Sequence, residues 1–241
     1  MLRRTFLLLC IVILHIQCST GQLTVLCNLP SDLEGISLIR DRLKISKESR
    51  LKSSKKGTRE KLSKTPHLFE YETGVNSKTA IIVPTVSSES RPYLPASIFA
   101  DVVVNAPNYA LYDAPTYCLS IIVSKLHLVW IATVCGKLKT DYRYSNALGW
   151  NTFPVPKLTA EHKADLTRTA ENILLAREAH FPATIADLYK PDAMPENLRA
   201  AHAENDRILE EIYIGRPFKN DTERLEKLFE MYAEMTKGKA A

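Results

Sequence analysis

Residues 114–136 read APTYCLSIIVSKLHLVWIATVCG, apolar almost throughout, and so long an apolar run leaves a folding chain few choices. Removing that much apolar surface from water is strongly favourable, so the segment must lie inside something. Leu119, Ile122, Val123, Leu126, Val129, Trp130 and Thr133 recur at helical spacing, which predicts one buried helix of about six turns. Asp113 stands where an N-cap belongs, Pro115 just inside it, and Gly136 at the stop. Lys125 and His127 fall in mid-segment, where ionisable groups would be costly in hydrocarbon, so the run is expected in a protein core rather than a bilayer.

The rest of the chain must supply that core. With 241 residues, 45% apolar content and only 8 Gly, the sequence has the composition of globular protein, enough for one or two domains. Its net charge of +5 is unevenly spread. Arg40–Lys64 carries eleven Lys/Arg against three Asp/Glu, whereas Lys157–Lys237 carries twelve against sixteen. A basic band followed by an acidic helical end suggests a polyanion-facing element joined to one that packs on protein.

The N-terminus has a different texture. Arg3 and Arg4 precede an apolar run from Phe6 to Ile16, the form of a secretory leader, yet His15, Ile16 and Gln17 stand where a cleavage site wants small residues. Residues 1–35 are therefore set apart as a leader of unclear origin. Two of the five cysteines, Cys10 and Cys18, lie in or beside it, and Cys27 follows within the same span. No CxxC pair occurs, so neither a zinc site nor a dense disulfide framework is indicated. Cys118 and Cys135 are expected to behave as small buried apolar residues.

From Ile36 to Leu62 the composition favours helix, with Gly57 an interruption and Pro66 the end. Its Lys/Arg run reads either as a solvated helical face or as a phosphate-contacting band, with Lys52, Lys55 and Lys56 as the contacts. TAIIVPTVSS and DVVVN, residues 80–88 with Thr79 and 101–105, are short β-branched runs expected as buried strands. After Pro154 and Pro156 the chain is helical. Leu166, Ala170, Ile173, Leu174 and Arg177 share a face ahead of a stop at Phe181 and Pro182. Pro195 opens a second helix bearing Leu198, His202, Asn205, Ile208, Leu209 and Ile212, its His and Asn expected as satisfied core polar groups. Asp221 is expected to cap a third helix, with Leu225, Leu228, Phe229, Tyr232 and Met235 as its apolar stripe. The fold class is α+β: a mixed α/β domain over 36–153, then a small all-α domain over 154–241.

Catalytic signatures are missing from the sequence. There is no GxSxG, HExxH, P-loop or GxGxxG. Asn105–Tyr109, NAPNY, resembles the Asn/Asp-Pro-Pro-Tyr/Phe loop with which amino-group methyltransferases hold a flipped base, but its spacing is wrong, and it reads better as a loop leaving the Val102–Val104 strand.

HLVWIATVCGKLKTDYRYSNALGWNTFPVP, residues 127–156, closely resembles the end of the target-recognition domain of MmeI-like restriction-modification enzymes. SSKKGTREKLSKTPHLF and IIVPTVSSESRPYLP are similar to earlier segments of that domain, and ADLYKPDAMPENLRAAHAENDRILEEIY and RLEKLFEMY to the helical C-terminal domain of the family. The resemblance covers residues 36–237. It implies a DNA recognition fragment of a site-specific adenine-N6 DNA methyltransferase, cytoplasmic, with double-stranded DNA as partner and no lipid partner. Catalytic residues are expected to be none, and S-adenosylmethionine would serve only the full-length enzyme, through a methyltransferase domain or chain outside these residues. The alternative is a secreted or envelope-associated interaction protein with a genuine signal peptide.

Within this frame the basic, aromatic stretch GKLKTDYRYSNALGWNTFPVP, residues 136–156, is the expected DNA-facing surface. Lys139 and Asp141 flank Thr140, and in an extended segment alternate residues point the same way. Lys donates to guanine O6 and N7 and Asp accepts from cytosine N4, so the two together would read one G·C pair in the major groove. The resemblance supports this, because the matching positions vary in the family with the base recognised. Lys137 and Arg143 are expected to meet phosphate or a second base, while Tyr142, Tyr144, Trp150 and Phe153 pack the loop. The competing reading of Lys139 and Asp141 is an exposed ion pair of little energetic value.

Overall fold

The computed structural model describes residues 36–67, 74, 77–102, 104 and 106–237. The expected leader over 1–35 lies outside the described residues. The chain divides into two compact units, Met1–Ser77 and Lys78–Ala241.

In the first unit, helix α1 (Ser37–Leu51) and the short α2 (Lys56–Glu60) precede a 3-10 turn, Leu62–Lys64. Arg50 ties them together: its Nη1 donates to the carbonyls of Leu62 at 2.8 Å and Thr65 at 2.7 Å. The break in this helical band comes at Lys52–Lys55, before Gly57, which sits inside α2. Ser53 accounts for the shift, because its Oγ accepts the Lys55 N–H at 3.2 Å and offers the backbone a turn in place of a helical bond.

The second unit holds two three-stranded antiparallel sheets. Strands β1 (Thr79–Pro84), β3 (Ser97–Ala100) and β4 (Asn108–Tyr112) form one, with β1 central. Strands β2 (Val86–Ser87), β5 (Gly136–Leu138) and β6 (Asp141–Arg143) form the other, with β6 central. The strand expected over 101–105 is displaced: the strand ends at Ala100 and the chain turns at Asp101, whose φ is 51°. Among the described residues of that stretch, Val102 and Val104 lie outside any strand.

The apolar run does not form one long helix. It forms α3 (Tyr117–Ile122) and α4 (Lys125–Val134), broken at Val123 and Ser124. Ser124 takes extended backbone angles, and its Oγ accepts the His127 N–H at 3.1 Å while donating to the Ile121 carbonyl at 2.7 Å. One hydroxyl thus closes the first helix and caps the second. Asp113 is not the N-cap either. It stands at φ 48°, and its Oδ1 receives the N–H groups of Lys78 at 2.8 Å and Thr79 at 3.0 Å, pinning the start of β1 to the end of β4.

The acidic C-terminal part folds as α5 (Ala160–Glu178), α6 (Ile185–Leu188), α7 (Glu196–Ile214) and α8 (Asp221–Lys237). The cap of α8 is Asn220, whose Oδ1 accepts the Glu223 N–H at 3.0 Å, and Asp221 instead pairs with Arg224 at 2.7 Å. Leu119, Ile122, Leu126, Trp130 and Ile131 of α3 and α4 share one core with Ile81 of β1, Leu166 and Ile173 of α5, Leu198 and Leu209 of α7 and Leu228 of α8. That core crosses the 153/154 junction.

Several polar groups inside it are hydrogen-bonded, whereas the buried Nδ1 atoms of His127 and His202 have no hydrogen-bond partner among the described residues. Asn205 accepts from Thr169 Oγ1 at 2.7 Å and from the Ser120 hydroxyl, and donates to the Ser120 carbonyl at 3.0 Å. His202 Nε2 lies 2.6 Å from the Tyr189 hydroxyl, which also receives the Arg177 guanidinium. Arg177 Nη1 reaches back to the Ala96 carbonyl at 2.8 Å, tying α5 to the chain entering β3. Cys118 and Cys135 are buried free thiols, as expected for small apolar residues.

Candidate nucleic-acid interface

Strands β5 and β6 form a hairpin whose closing pair is Leu138 with Asp141, leaving Lys139 and Thr140 as a two-residue turn. Such turns need positive φ at their first central position, and Lys139 supplies it at 58°. Lys139 is therefore at a turn and not in extended chain, so alternation along a strand is not what relates it to Asp141. The Asn-Gly signature that usually marks such a turn is missing, which is why the hairpin was not legible in the sequence.

Strand register sorts the remaining candidates. Directly opposed residues of an antiparallel pair project to the same side, and neighbours along a strand alternate. Val86, Arg143 and Gly136 form one cross-strand row, and Asp141 with Leu138 a second row on that same side. The opposite side carries Ser87, Tyr142 and Lys137. Ser87 is buried and Tyr142 half-buried, so that side packs on the protein except at the edge, where Lys137 is exposed, and the Arg143–Asp141–Leu138 side faces solvent.

Lys137 is not available as a free cation on the outer side. Its Nζ pairs with Glu89 at 3.1 Å and sits 5.7 Å from the Tyr142 ring centroid. Glu89, which follows β2, thereby ties the 88–91 loop to the hairpin, a role no sequence pattern signalled. Arg143 is exposed, Asp141 half-buried, and neither side chain has a hydrogen-bond or ion-pair partner among the described residues; the same holds for Lys139. The competing Lys139–Asp141 ion pair does not form.

The hairpin is mounted on the core by aromatic packing. Tyr144, the residue after β6, donates its N–H to the Thr85 carbonyl at 2.8 Å, and its hydroxyl lies 3.0 Å from His127 Nε2 on α4. The His127 ring meets Phe153 edge-on at 4.7 Å and Trp150 at 6.0 Å. Burial holds the His127 imidazole neutral, its pKa pushed down to about 3. Tyr144 and Phe153 are buried and Tyr142 and Trp150 half-buried, so all four aromatics brace the loop as expected. Between them Asn146–Trp150 makes a π-helical turn in which Gly149 passes so close that an added Cβ would lie 3.2 Å from both Cys135 Sγ and Ile131 Cγ2.

Lys52, Lys55 and Lys56 are exposed at the α1–α2 break, in the first unit. None of them takes part in an ion pair among the described residues. Asn108–Tyr112, the latter half of the NAPNY segment and beyond, is strand β4, and Tyr109 packs against Tyr144 at 6.0 Å. A tyrosine so placed braces the hairpin, so these residues do not form the loop that holds a flipped base in a methyltransferase.

Comparison with known proteins agrees with this geometry. The family described as the MmeI target recognition domain matches residues 25–157, and the MmeI C-terminal domain matches residues 159–239. The chain is 44% identical over 200 residues to DNA methyltransferase A of Bacillus subtilis (strain 168), covering 83% of this chain and 22% of that protein. A solved structure of the Type IIL restriction-modification enzyme MmeI in complex with DNA superposes with a TM-score of 0.80 at 31% identity, covering 86% of this chain and 28% of the MmeI chain. The chain thus spans less than a third of either relative. A hairpin braced on a helical core, with two adjacent matches that together cover nearly all of the described residues, means that the chain belongs to the MmeI family, as its target recognition domain followed by its C-terminal domain.

Proposed function

We propose that this chain is the sequence-reading part of a site-specific adenine-N6 DNA methyltransferase of a restriction-modification system, acting on double-stranded DNA. The observation that carries the reading is the hairpin of β5 and β6. It presents Lys139 at its turn and Asp141 and Arg143 on its solvent side, with their polar groups unengaged and their backbone fixed from beneath by the His127–Tyr144 pair. A two-stranded ribbon fits the major groove, where Lys139 donates to guanine and Asp141 accepts from cytosine, each contact contributing about 1 to 3 kcal/mol of discrimination. Arg143 reads a neighbouring base or meets phosphate, and Lys52, Lys55 and Lys56 hold the backbone without reading sequence.

The division of labour follows. Residues 36–153 read DNA and 154–241 brace the reading sheet. S-adenosylmethionine and the catalytic residues belong to a methyltransferase domain or chain that these 241 residues do not contain. A cytoplasmic location accords with work on DNA. Among the described residues no helix is long and apolar enough to cross a membrane, and neither relative supports a secreted or envelope-associated role.

The test is a selection from random duplexes with the wild-type chain and with Lys139→Glu combined with Asp141→Arg. The variant is expected to change the preferred base at one motif position and leave the others. An identical motif from both proteins would overturn the assignment.

A further inference from the structure

Leu138 is 51% exposed and lies across the ladder from Asp141, on the solvent side of the hairpin. It belongs neither to the core nor to the apolar residues packed around it. Its strand neighbour on that side is Gly136, which has no side chain to shield it and where an added Cβ would meet nothing within 4 Å. An apolar side chain is thus held on a rigid sheet beside a carboxylate and a guanidinium that are themselves unengaged. Directly opposed Cβ atoms lie about 4.5–5.5 Å apart, so whatever base edge Asp141 meets, Leu138 meets that pair or the next.

Leucine can neither donate nor accept a hydrogen bond. The base-edge group it complements is the C5-methyl of thymine, which projects only into the major groove. Resting on the DNA-reading role proposed above, we infer that Leu138 is a further specificity-determining residue: its methyl groups pack on a thymine methyl beside the base pair read by Asp141. Burial of one methyl-sized group against Leu138 favours thymine by about fourfold over the same base without its methyl.

Random duplexes prepared with thymidine, and a second pool prepared with deoxyuridine, separate this contact from every other, because uracil pairs as thymine does and lacks only the methyl. The wild-type chain is expected to select thymine next to the position governed by Lys139 and Asp141, and to lose that preference in the deoxyuridine pool. Leu138→Ala is expected to lose it in both pools with the rest of the motif intact, while Leu138→Met, which keeps an apolar contact, retains it. Thymine selection that survives Leu138→Ala, or a wild-type motif with no methyl-dependent position, would overturn the inference and leave the DNA-reading role standing. Absence of any wild-type motif would overturn both.

Discussion

His127 Nε2 lies 3.0 Å from the hydroxyl of Tyr144, with both side chains buried, so the chain leaving the β5–β6 hairpin is fastened to helix α4 by an interior hydrogen bond. The fastening makes stability depend on pH in a calculable direction. Burial pushes the His127 pKa down to about 3, against about 6.5 in an unfolded chain. Between those values the unfolded state binds the proton and the folded state does not, so the stabilisation is complete above about pH 6.5 and is lost as pH falls toward 3. Stability is expected to fall by about 1.4 kcal/mol for each pH unit through that window from this residue alone. His202, also pushed down by burial, adds to the slope. Thermal melts at a series of pH values should show a shallower decline for His127→Gln than for wild type.

The turn residue carries a backbone cost. Lys139 holds a left-handed backbone, φ 58°, that costs an L-residue roughly 1 kcal/mol and glycine very little. Lys139→Gly is therefore expected to raise the denaturation midpoint slightly while erasing base preference at one motif position. Loss of stability in urea titration would contradict the turn geometry.

Two glycines with different surroundings provide a contrast. At Gly149 a new Cβ would press on Cys135 and Ile131 at 3.2 Å, and Ala there is expected to cost about 1 to 3 kcal/mol through overpacking. At Gly57, inside α2 with nothing within 4 Å, Ala is expected to be neutral or to stabilise by up to about 1 kcal/mol. Calorimetry on the two variants reads the difference directly.

Phosphate contact has a signature that base reading lacks. Replacing Lys52, Lys55 or Lys56 by Ala should weaken binding to all sequences alike and lower the dependence of affinity on salt by about one charge each. Fluorescence anisotropy at several salt concentrations measures it, and slopes equal to the parent's would remove these lysines from the interface.

Much of this was legible in the residues. The spacing of Leu166, Ala170, Ile173 and Arg177, and of Leu198, His202, Asn205 and Leu209, marked the inward faces of α5 and α7, and all eight are buried there. Periodicity reports burial faithfully when one helix buries one stripe. It could not report the break at Ser124, because Leu119 through Trp130 stay in phase across it and the decision rests on one hydroxyl choosing the His127 N–H. The exposed face of the hairpin was visible only as a list of residue types.

Sequence alone determined the fold class, the helical faces and which side chains carry chemistry suited to base edges, since these follow from composition and local spacing. Only the tertiary structure decided that Lys139 sits at a turn, that Lys137 is paired with Glu89 at the surface, and that Leu138 shares a face with Asp141. Strand register settles those points, and register is set by pairing between segments as distant as Val86 and Arg143, whose cost and gain no local window contains.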